Sequence, residues 1–129
     1  APPVVAGMLD SSVLIDVLRG YAPAESWLAA QGQLGTTRIV WLELIEGAPN
    51  KRAQQRAITL LRRFDLVDLT PDDMHWAVVQ LTRYGLSHDV DAFDCLIASV
   101  HLRLNIPLYT RNLKHFTPLI GDLAISPYA

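Results

Sequence analysis

The chain of 129 residues contains little cysteine and no long apolar run, and both absences restrict its class. Its one cysteine, Cys95, can form neither a disulfide within the chain nor a cysteine pair for zinc. The apolar run from Val4 to Leu9 is far shorter than the roughly 20 residues of a membrane-spanning helix, and no basic segment precedes it. We therefore expect a soluble protein of the cytoplasm.

The sequence also lacks the motifs of several large enzyme classes. It has no G-x-S-x-G, no G-x-x-x-x-G-K and no G-x-G-x-x-G, which mark serine hydrolases, P-loop proteins and dinucleotide-binding domains. Its four histidines show no i, i+4 pair, so no zinc site is expected. With a net charge of −2 and a pI near 6.0, the protein needs a local basic patch to contact a polyanion.

The sequence does contain an alternation of short apolar runs and amphipathic stretches. The pattern predicts strands at 4–9, 34–37, 66–69, 108–110 and 123–125. It predicts helices at 11–20, with Gly20 at the C′ position, from residue 23 onward, and at 39–48, 51–64, 71–85 and 92–104. Strands that alternate with helices favour one α/β domain over residues 1–129, with a parallel sheet covered by helices on both faces.

Three acidic residues occupy unusual places in this pattern. Asp10 directly follows the first strand, where open parallel sheets collect functional groups, although an N-cap role for the next helix explains it equally well. Glu43 lies in an apolar helical stretch, but Glu46 is on the same face, and spacing alone does not separate the two. Asp94 opens a helix that is apolar on nearly all sides, and it stands at capping-box distance from Asp91.

Further polar residues flank these acids. Thr110 and Asn112 follow the strand at 108–110, although an asparagine in a turn is ordinary. A hydroxyl of Ser11 or Ser12 could orient a ligand or a phosphate, or could only cap the helix. Several carboxylates that cannot all be ionised side by side favour a hard divalent cation such as Mg²⁺ or Mn²⁺.

The helix predicted at 51–64 has a basic outer face. At about 100° per residue, Arg52, Arg56 and Arg63 lie together, opposite an apolar face. Such a face is most often simply solvated. The alternative is a surface that follows the phosphates of a nucleic acid, and this alternative predicts a salt-dependent affinity that falls when the charges are removed.

Four motifs in order give the chain a resemblance to a known family. The segments LDSSVLID with Asp10, LELIEG with Glu43, FDCLIAS with Asp94 and LYTRNLKHF with Thr110 and Asn112 resemble those of PIN-domain ribonucleases. The likeness is strongest to the VapC-type toxins of bacterial toxin–antitoxin pairs. In that family the acid stands four positions before the glycine, which selects Glu43 over Glu46.

The resemblance implies a fold, an activity and partners. It implies a PIN-like α/β/α sandwich with a central parallel β-sheet, a frequent homodimer and a cognate VapB-type antitoxin that blocks the site. The implied activity is Mg²⁺- or Mn²⁺-dependent endoribonucleolytic cleavage of tRNA, rRNA or mRNA that leaves a 5′-phosphate and a 3′-hydroxyl. Asp10, Glu43 and Asp94 would be both catalytic residues and metal ligands, and the substrate RNA is not identified.

The chain departs from the family pattern at the fourth position. Many relatives carry another acid after the threonine turn, whereas this chain has Asn112 and His115 there, so a second metal position would be weaker or would rely on Asp91. This departure supports an alternative, a catalytically inactive PIN-like module that only binds protein or RNA. A phosphatase of the haloacid-dehalogenase kind is disfavoured because Ser12 stands where its motif requires a second aspartate.

Overall fold

The computed structural model describes residues 5–129, so Val4, where the first predicted strand begins, lies outside the described residues. Five strands are β1 Met8–Leu9, β2 Gly35–Thr36, β3 Asp65–Leu66, β4 Leu108–Tyr109 and β5 Ala124–Ile125. The α-helices are α1 Ser11–Leu18, α2 Ala22–Ala29, α3 Arg38–Gly47, α4 Lys51–Leu61, α5 Pro71–Tyr84, α6 Ala92–Leu104 and α7 Leu113–Ile120. A short 3₁₀ turn, Gly121–Leu123, precedes β5.

The strands form one sheet in the order β3-β2-β1-β4-β5, and every neighbouring pair is parallel. The chain builds outward from β1 to β3 and then returns to place β4 on the other side of β1. The strand order therefore reverses between β1 and β4, where crevices of parallel sheets bind ligands. The predicted α/β architecture is confirmed. In the described part of the chain, no helix is long and apolar enough to cross a membrane.

Helix boundaries follow from local capping chemistry. Thr37, Asn50 and Thr70 each accept a hydrogen bond from the third backbone N–H of the helix that they begin. Gly20 has a φ of +77°, a left-handed conformation that ends α1 at the predicted glycine. Helix α4 ends at Leu61 rather than at 64, because the chain turns at that point to enter β3.

Helix α7 is absent from the sequence-based prediction, which shows nothing between the fourth and fifth strands. Pro118 lies inside the helix and removes one backbone donor, which normally argues against a helix. Tertiary packing overrides that local preference, because Phe116, Leu119 and Ile120 are all buried in the core. Burying each of these side chains contributes about 1.5–3 kcal/mol, enough to offset one missing hydrogen bond.

Helix α6 is the most deeply buried helix of the site region. Seven of its residues are buried, namely Asp94, Cys95, Ile97, Ala98, Ser99, Val100 and His101. This agrees with its apolar sequence. Burial first and then the charge of Asp94 raise the pKa of the Cys95 thiol to about 11, so the cysteine remains a protonated core residue at neutral pH.

Candidate active site

Asp10 lies at the carboxyl end of β1, in the N-cap position of α1. Its carboxylate is 2% exposed and makes no side-chain capping bond to the helix backbone. It instead accepts hydrogen bonds from Ser12 Oγ at 2.7 Å and from Thr110 Oγ1 at 2.9 Å. The structure therefore weakens the capping explanation, because hydroxyl groups and not helix amides orient this carboxylate.

Thr110 follows β4, and its side chain is hydrogen-bonded to Asp10, which follows the neighbouring strand β1. It is fully buried at the end of β4, and its hydroxyl donates to Asp10 and accepts from the Asn112 amide at 2.9 Å. The Arg111 amide in turn donates to Ser12 Oγ at 3.0 Å. These bonds hold the loop after β4 against the start of α1, so Asp10 has little freedom to rotate.

Glu43 and Glu46 lie in different environments on α3. Glu46 is exposed, whereas Glu43 is partly buried and accepts a hydrogen bond from Ser11 Oγ at 3.1 Å. Burial, followed by the charge of Asp10, raises the pKa of Glu43 to about 7, with smaller contributions from Asp94 and Asp91. The structure brings Glu43, and not Glu46, towards the other acids.

Asp94 closes the cluster from the first turn of α6. It is 8% exposed and forms a reciprocal capping box with Asp91, at 2.8 and 3.1 Å, so the predicted capping pair is present. Burial raises the pKa of Asp94 to about 6, and the charges of Asp91 and Asp10 act in the same direction. The Asp91 backbone N–H and His115 act in the opposite direction. Asp94 is therefore both a capping residue and a member of the acidic cluster.

Two contacts in the site were missed from the sequence. His115 Nδ1 lies 3.2 Å from Asp94 Oδ2, and Ser11 bonds to Glu43. Recognising α7 would have placed His115 in the first turn of a helix next to the site. Asn112, in contrast, is exposed, and within residues 5–129 only its backbone N–H is bonded into the cluster.

Comparison with known families adds a second line of evidence to this geometry. The family described as PIN domain matches residues 7–116, which is most of the chain. The chain belongs to the PIN-domain family. The matched segment contains Asp10, Glu43 and Asp94 as well as the loop after β4. A comparison with curated protein sequences gives no match.

Solved structures with the same fold include components of toxin–antitoxin complexes. A "Toxin-antitoxin complex from Klebsiella pneumoniae" superposes with a TM-score of 0.77 at 24% identity, covering 95% of this chain and 98% of that one. A DNA-bound VapBC from Salmonella typhimurium gives 0.73 at 21%, covering 95% and 98%. VapC20 from Mycobacterium tuberculosis, titled a sarcin-ricin loop cleaving toxin, gives 0.68 at 20%, covering 90% and 91%. At these identities the likeness shows the PIN fold.

The chemistry of the cluster in this PIN domain suits a hard divalent cation. Among residues 5–129, no three His, Cys, Asp or Glu side chains stand close enough together to form a complete metal site. Like charges and burial nevertheless raise the pKa of Glu43 and Asp94, which means that folding gathers carboxylates at an electrostatic cost. A cation with oxygen ligands removes that cost, so Mg²⁺ or Mn²⁺ fits the donor set.

The predicted basic face lies on α4 and the turn after it. Arg52, Arg56 and Arg63 are exposed and line one surface depression of about 620 Å³ together with Leu18 of α1. Arg56 Nη2 donates to the Leu18 carbonyl at 3.0 Å, which fixes this arginine against α1. The three arginines thus share one face of this PIN domain as expected, and their role in RNA binding stays a prediction.

Proposed function

We propose that this protein is a VapC-type toxin, an endoribonuclease that requires Mg²⁺ or Mn²⁺. It hydrolyses phosphodiester bonds of tRNA, rRNA or mRNA and leaves a 5′-phosphate and a 3′-hydroxyl. A cognate VapB-type antitoxin inhibits it, and the toxin forms a homodimer in the cytoplasm. The observation that carries the proposal is the gathering of Asp10, Glu43 and Asp94 at the sheet edge of a PIN domain, with the raised pKa of two of them.

In this proposal each acidic residue has a defined task. Asp10, Glu43 and Asp94 would hold the cation, which would supply Lewis acidity to the reaction. Thr110 and Ser12 keep the Asp10 carboxylate in one orientation, and Ser11 does the same for Glu43. Asp91 and Asn112 lie at the rim, where they can contact a second cation or the substrate.

Structural relatives support the toxin assignment. Structures of the same fold are titled as toxin–antitoxin complexes from Klebsiella pneumoniae and Salmonella typhimurium, and one is titled as a toxin that cleaves the sarcin-ricin loop. We infer from these that an antitoxin is the partner of this chain and that RNA is its substrate. Single-stranded loops are the parts of RNA whose bases are open to recognition.

A cleavage assay with matched variants tests the proposal. Purified protein is incubated with total RNA in Mg²⁺, in Mn²⁺ and in EDTA, and the 5′ ends of the products are mapped. We expect cleavage with either metal, none in EDTA, and loss of cleavage in Glu43→Gln but not in Glu46→Gln, its exposed neighbour. Cleavage in EDTA, or full activity of Asp10→Asn, contradicts the proposed mechanism.

The same assay addresses the alternative of an inactive PIN-like module. That module would bind RNA or an antitoxin but would cut nothing with any metal. Thermal unfolding supplies a readout that does not depend on activity. A cation bound by the three acids raises the melting temperature of the wild type, and the rise is smaller in Asp10→Asn. An equal rise in both proteins shows that these acids do not hold the metal.

A further inference from the structure

Three surface cavities of the PIN domain adjoin one another through shared lining residues, and together they are called the groove. The depression on α4 shares Leu18 and Arg56 with a cavity of about 440 Å³ between α1 and α4. That middle cavity shares Ile15 and Arg19 with a third, of about 650 Å³, on the other side of α1. The groove therefore passes across the outer side of α1 from α4 to the loop after β4.

The acidic cluster opens into this groove along its course. Glu43 lines the middle cavity and Ser12, which orients Asp10, lines the third. On α1, Ser12 and Arg19 are seven residues apart, which is about 10 Å along a helix. A strand lying in the groove thus passes the carboxylates in the middle of its path and extends beyond them at both ends.

The groove collects cations that are not neutralised elsewhere. Five of the eleven lysine and arginine residues line it, namely Arg19, Arg52, Arg56, Arg63 and Arg111. In the part of the chain that the structure describes, only Arg111 among these approaches a carboxylate, that of Asp16 at 3.7 Å. The two closest arginine–aspartate pairs, at Arg38 and Arg103, lie outside the groove.

Besides the arginines and the site residues Glu43 and Ser12, the groove is lined by apolar and aromatic side chains and by a few polar ones, namely Gln55, Thr59 and Asp16. The middle cavity contains Leu44, Pro49 and other aliphatic side chains, and Tyr21 is 40% exposed in the third cavity beside Arg111. Proteins that hold single strands of nucleic acid combine such a positively charged groove with rings and apolar surfaces for the bases. A single strand is the occupant that this combination favours, because its unpaired bases are open to contact with rings and apolar side chains.

We propose that this arginine groove, defined by the five arginines above, holds one strand of the substrate RNA on both sides of the bond that is cut. Arg52, Arg56 and Arg63 contact phosphates on one side of the acidic cluster, and Arg19 and Arg111 contact phosphates on the other. Where the RNA strand is cut within the groove follows only if the proposed nuclease function is correct. RNA binding itself does not depend on that function.

The test measures how RNA affinity depends on salt. A short unstructured RNA oligonucleotide is titrated in EDTA by fluorescence anisotropy over a series of salt concentrations, and its integrity is checked on a gel. We expect Arg19→Gln/Arg56→Gln to make the slope of log K against log[salt] shallower by about 1.4, because each phosphate contact to a single strand contributes about 0.7. The pair Arg19→Lys/Arg56→Lys should keep the wild-type slope.

A matched control removes two charges from the same helix region outside the groove. Lys51 and Arg62 are exposed at the two ends of α4 and line none of the three cavities. We expect Lys51→Gln/Arg62→Gln to leave the slope within experimental error of the wild type. The groove proposal is overturned if the salt dependence of RNA affinity falls equally in Arg19→Gln/Arg56→Gln and Lys51→Gln/Arg62→Gln. It is also overturned if the salt dependence falls in neither variant. If the wild-type protein binds an acidic peptide but does not bind the RNA oligonucleotide, the groove proposal is overturned as well.

Different results would contradict the groove proposal and the proposed nuclease function. If the slope changes as expected but no metal supports cleavage, the groove stands and the proposed function is wrong. If RNA is cleaved with Mg²⁺ while both glutamine pairs behave alike, the nuclease stands and the groove is wrong. Melting temperatures of all variants are compared, since loss of the bond from Arg56 to the Leu18 carbonyl must not be mistaken for loss of RNA contact.

Discussion

Two capping boxes in this protein have the same local design and opposite electrostatics. Thr70 and Asp73 begin α5, Asp91 and Asp94 begin α6, and in each pair the two residues exchange hydrogen bonds. Both inner aspartates are nearly inaccessible, at 4% for Asp73 and 8% for Asp94. Yet the pKa of Asp73 is lowered, whereas that of Asp94 is raised to about 6.

The difference comes from tertiary neighbours and not from the box itself. Burial acts to raise the pKa of both aspartates, but the guanidinium of Arg103 lies 2.9 Å from Asp73 and outweighs burial together with bonds from Thr70. Asp94 faces the charges of Asp91 and Asp10, and in the described chain its nearest basic side chain is the His115 imidazole at 3.2 Å. The first box is stabilised by its ion pair, whereas the second holds a carboxylate whose charged form is disfavoured by burial and by neighbouring carboxylates.

Exchanging each inner aspartate for asparagine should separate these roles most clearly. Asp94→Asn is expected to lower the rate of RNA cleavage roughly 10²–10³-fold, as loss of a charge-stabilising group does in other sites. Its stability in EDTA should be unchanged or higher, because a carboxylate with a raised pKa is removed. Initial cleavage rates and urea unfolding measure the two effects.

Asp73→Asn is the matched control for that exchange. It should lose stability and keep its cleavage rate at temperatures where it remains folded. A large loss of activity in this variant would show that the α5 box also serves the reaction, and the contrast between the two boxes would not hold.

Breaking the ion pair of the first box should have the next largest effect. Arg103→Met keeps an unbranched side chain but leaves Asp73 buried without its partner. We expect the free energy of unfolding to fall by about 2 kcal/mol. The loss is smaller than for a fully buried pair because the Arg103 side chain is 36% exposed. The folded pKa of Asp73 is lowered, so this contribution is present above the unfolded value near 4 and is lost as the pH falls below it. Urea unfolding at pH 7 and at pH 3 should show a larger difference between the wild type and the variant at pH 7 than at pH 3.

These contrasts show how much of the molecule can be predicted from sequence. The order of strands and helices follows from apolar periodicity, and residues that mark helix ends, such as Gly20 and Pro71, are visible in the sequence itself. Helix α7 was missed because Pro118 opposes it locally, whereas burial of Phe116, Leu119 and Ile120 in the core favours it. Local sequence patterns do not report this contribution, because it comes from packing against residues that are distant in the sequence.

The sequence proposes members for the candidate site, but it does not contain the electrostatics of their surroundings. Periodicity left Glu43 and Glu46 equivalent, and only the motif order separated them before the structure showed one partly buried and the other exposed. The pairing of Asp73 with Arg103 joins residues 30 positions apart, and that of Asp10 with Thr110 joins residues 100 apart. Such distances in sequence carry no spacing signal.

The pH dependence of the metal-free protein should reveal the cost of the acidic cluster. Glu43 has an unfolded pKa near 4.5 and a folded pKa of about 7, so the folded state holds its proton more tightly. Stability in EDTA should therefore fall as the pH rises from about 5 to 7 and then level off. Partial exposure reduces the effect to about 1–2 kcal/mol for this residue.

Glu43→Gln should remove that part of the pH dependence, while Glu46→Gln should leave the curve as it is. Thermal unfolding between pH 5 and 8, repeated with Mg²⁺, provides the measurement. If the stability of the wild type in EDTA does not change between pH 5 and 8, the raised pKa of Glu43 is contradicted. The acidic cluster then carries no electrostatic cost, and this contrast with the Asp73 box is lost.

The smallest expected effect comes from making the second box resemble the first. Asp91→Ser keeps an N-cap acceptor for the Asp94 amide but removes a negative charge that raises the pKa of Asp94. We expect a change in stability below about 0.5 kcal/mol and a shift of the Asp94 pKa towards its usual range, followed by carboxyl ¹³C NMR in EDTA. Cleavage should fall less than in Asp94→Asn, because Asp91 is exposed at the rim. A fall as large as that of Asp94→Asn would instead assign Asp91 to the metal, and the outer residue of this box would then be functional as well as the inner one.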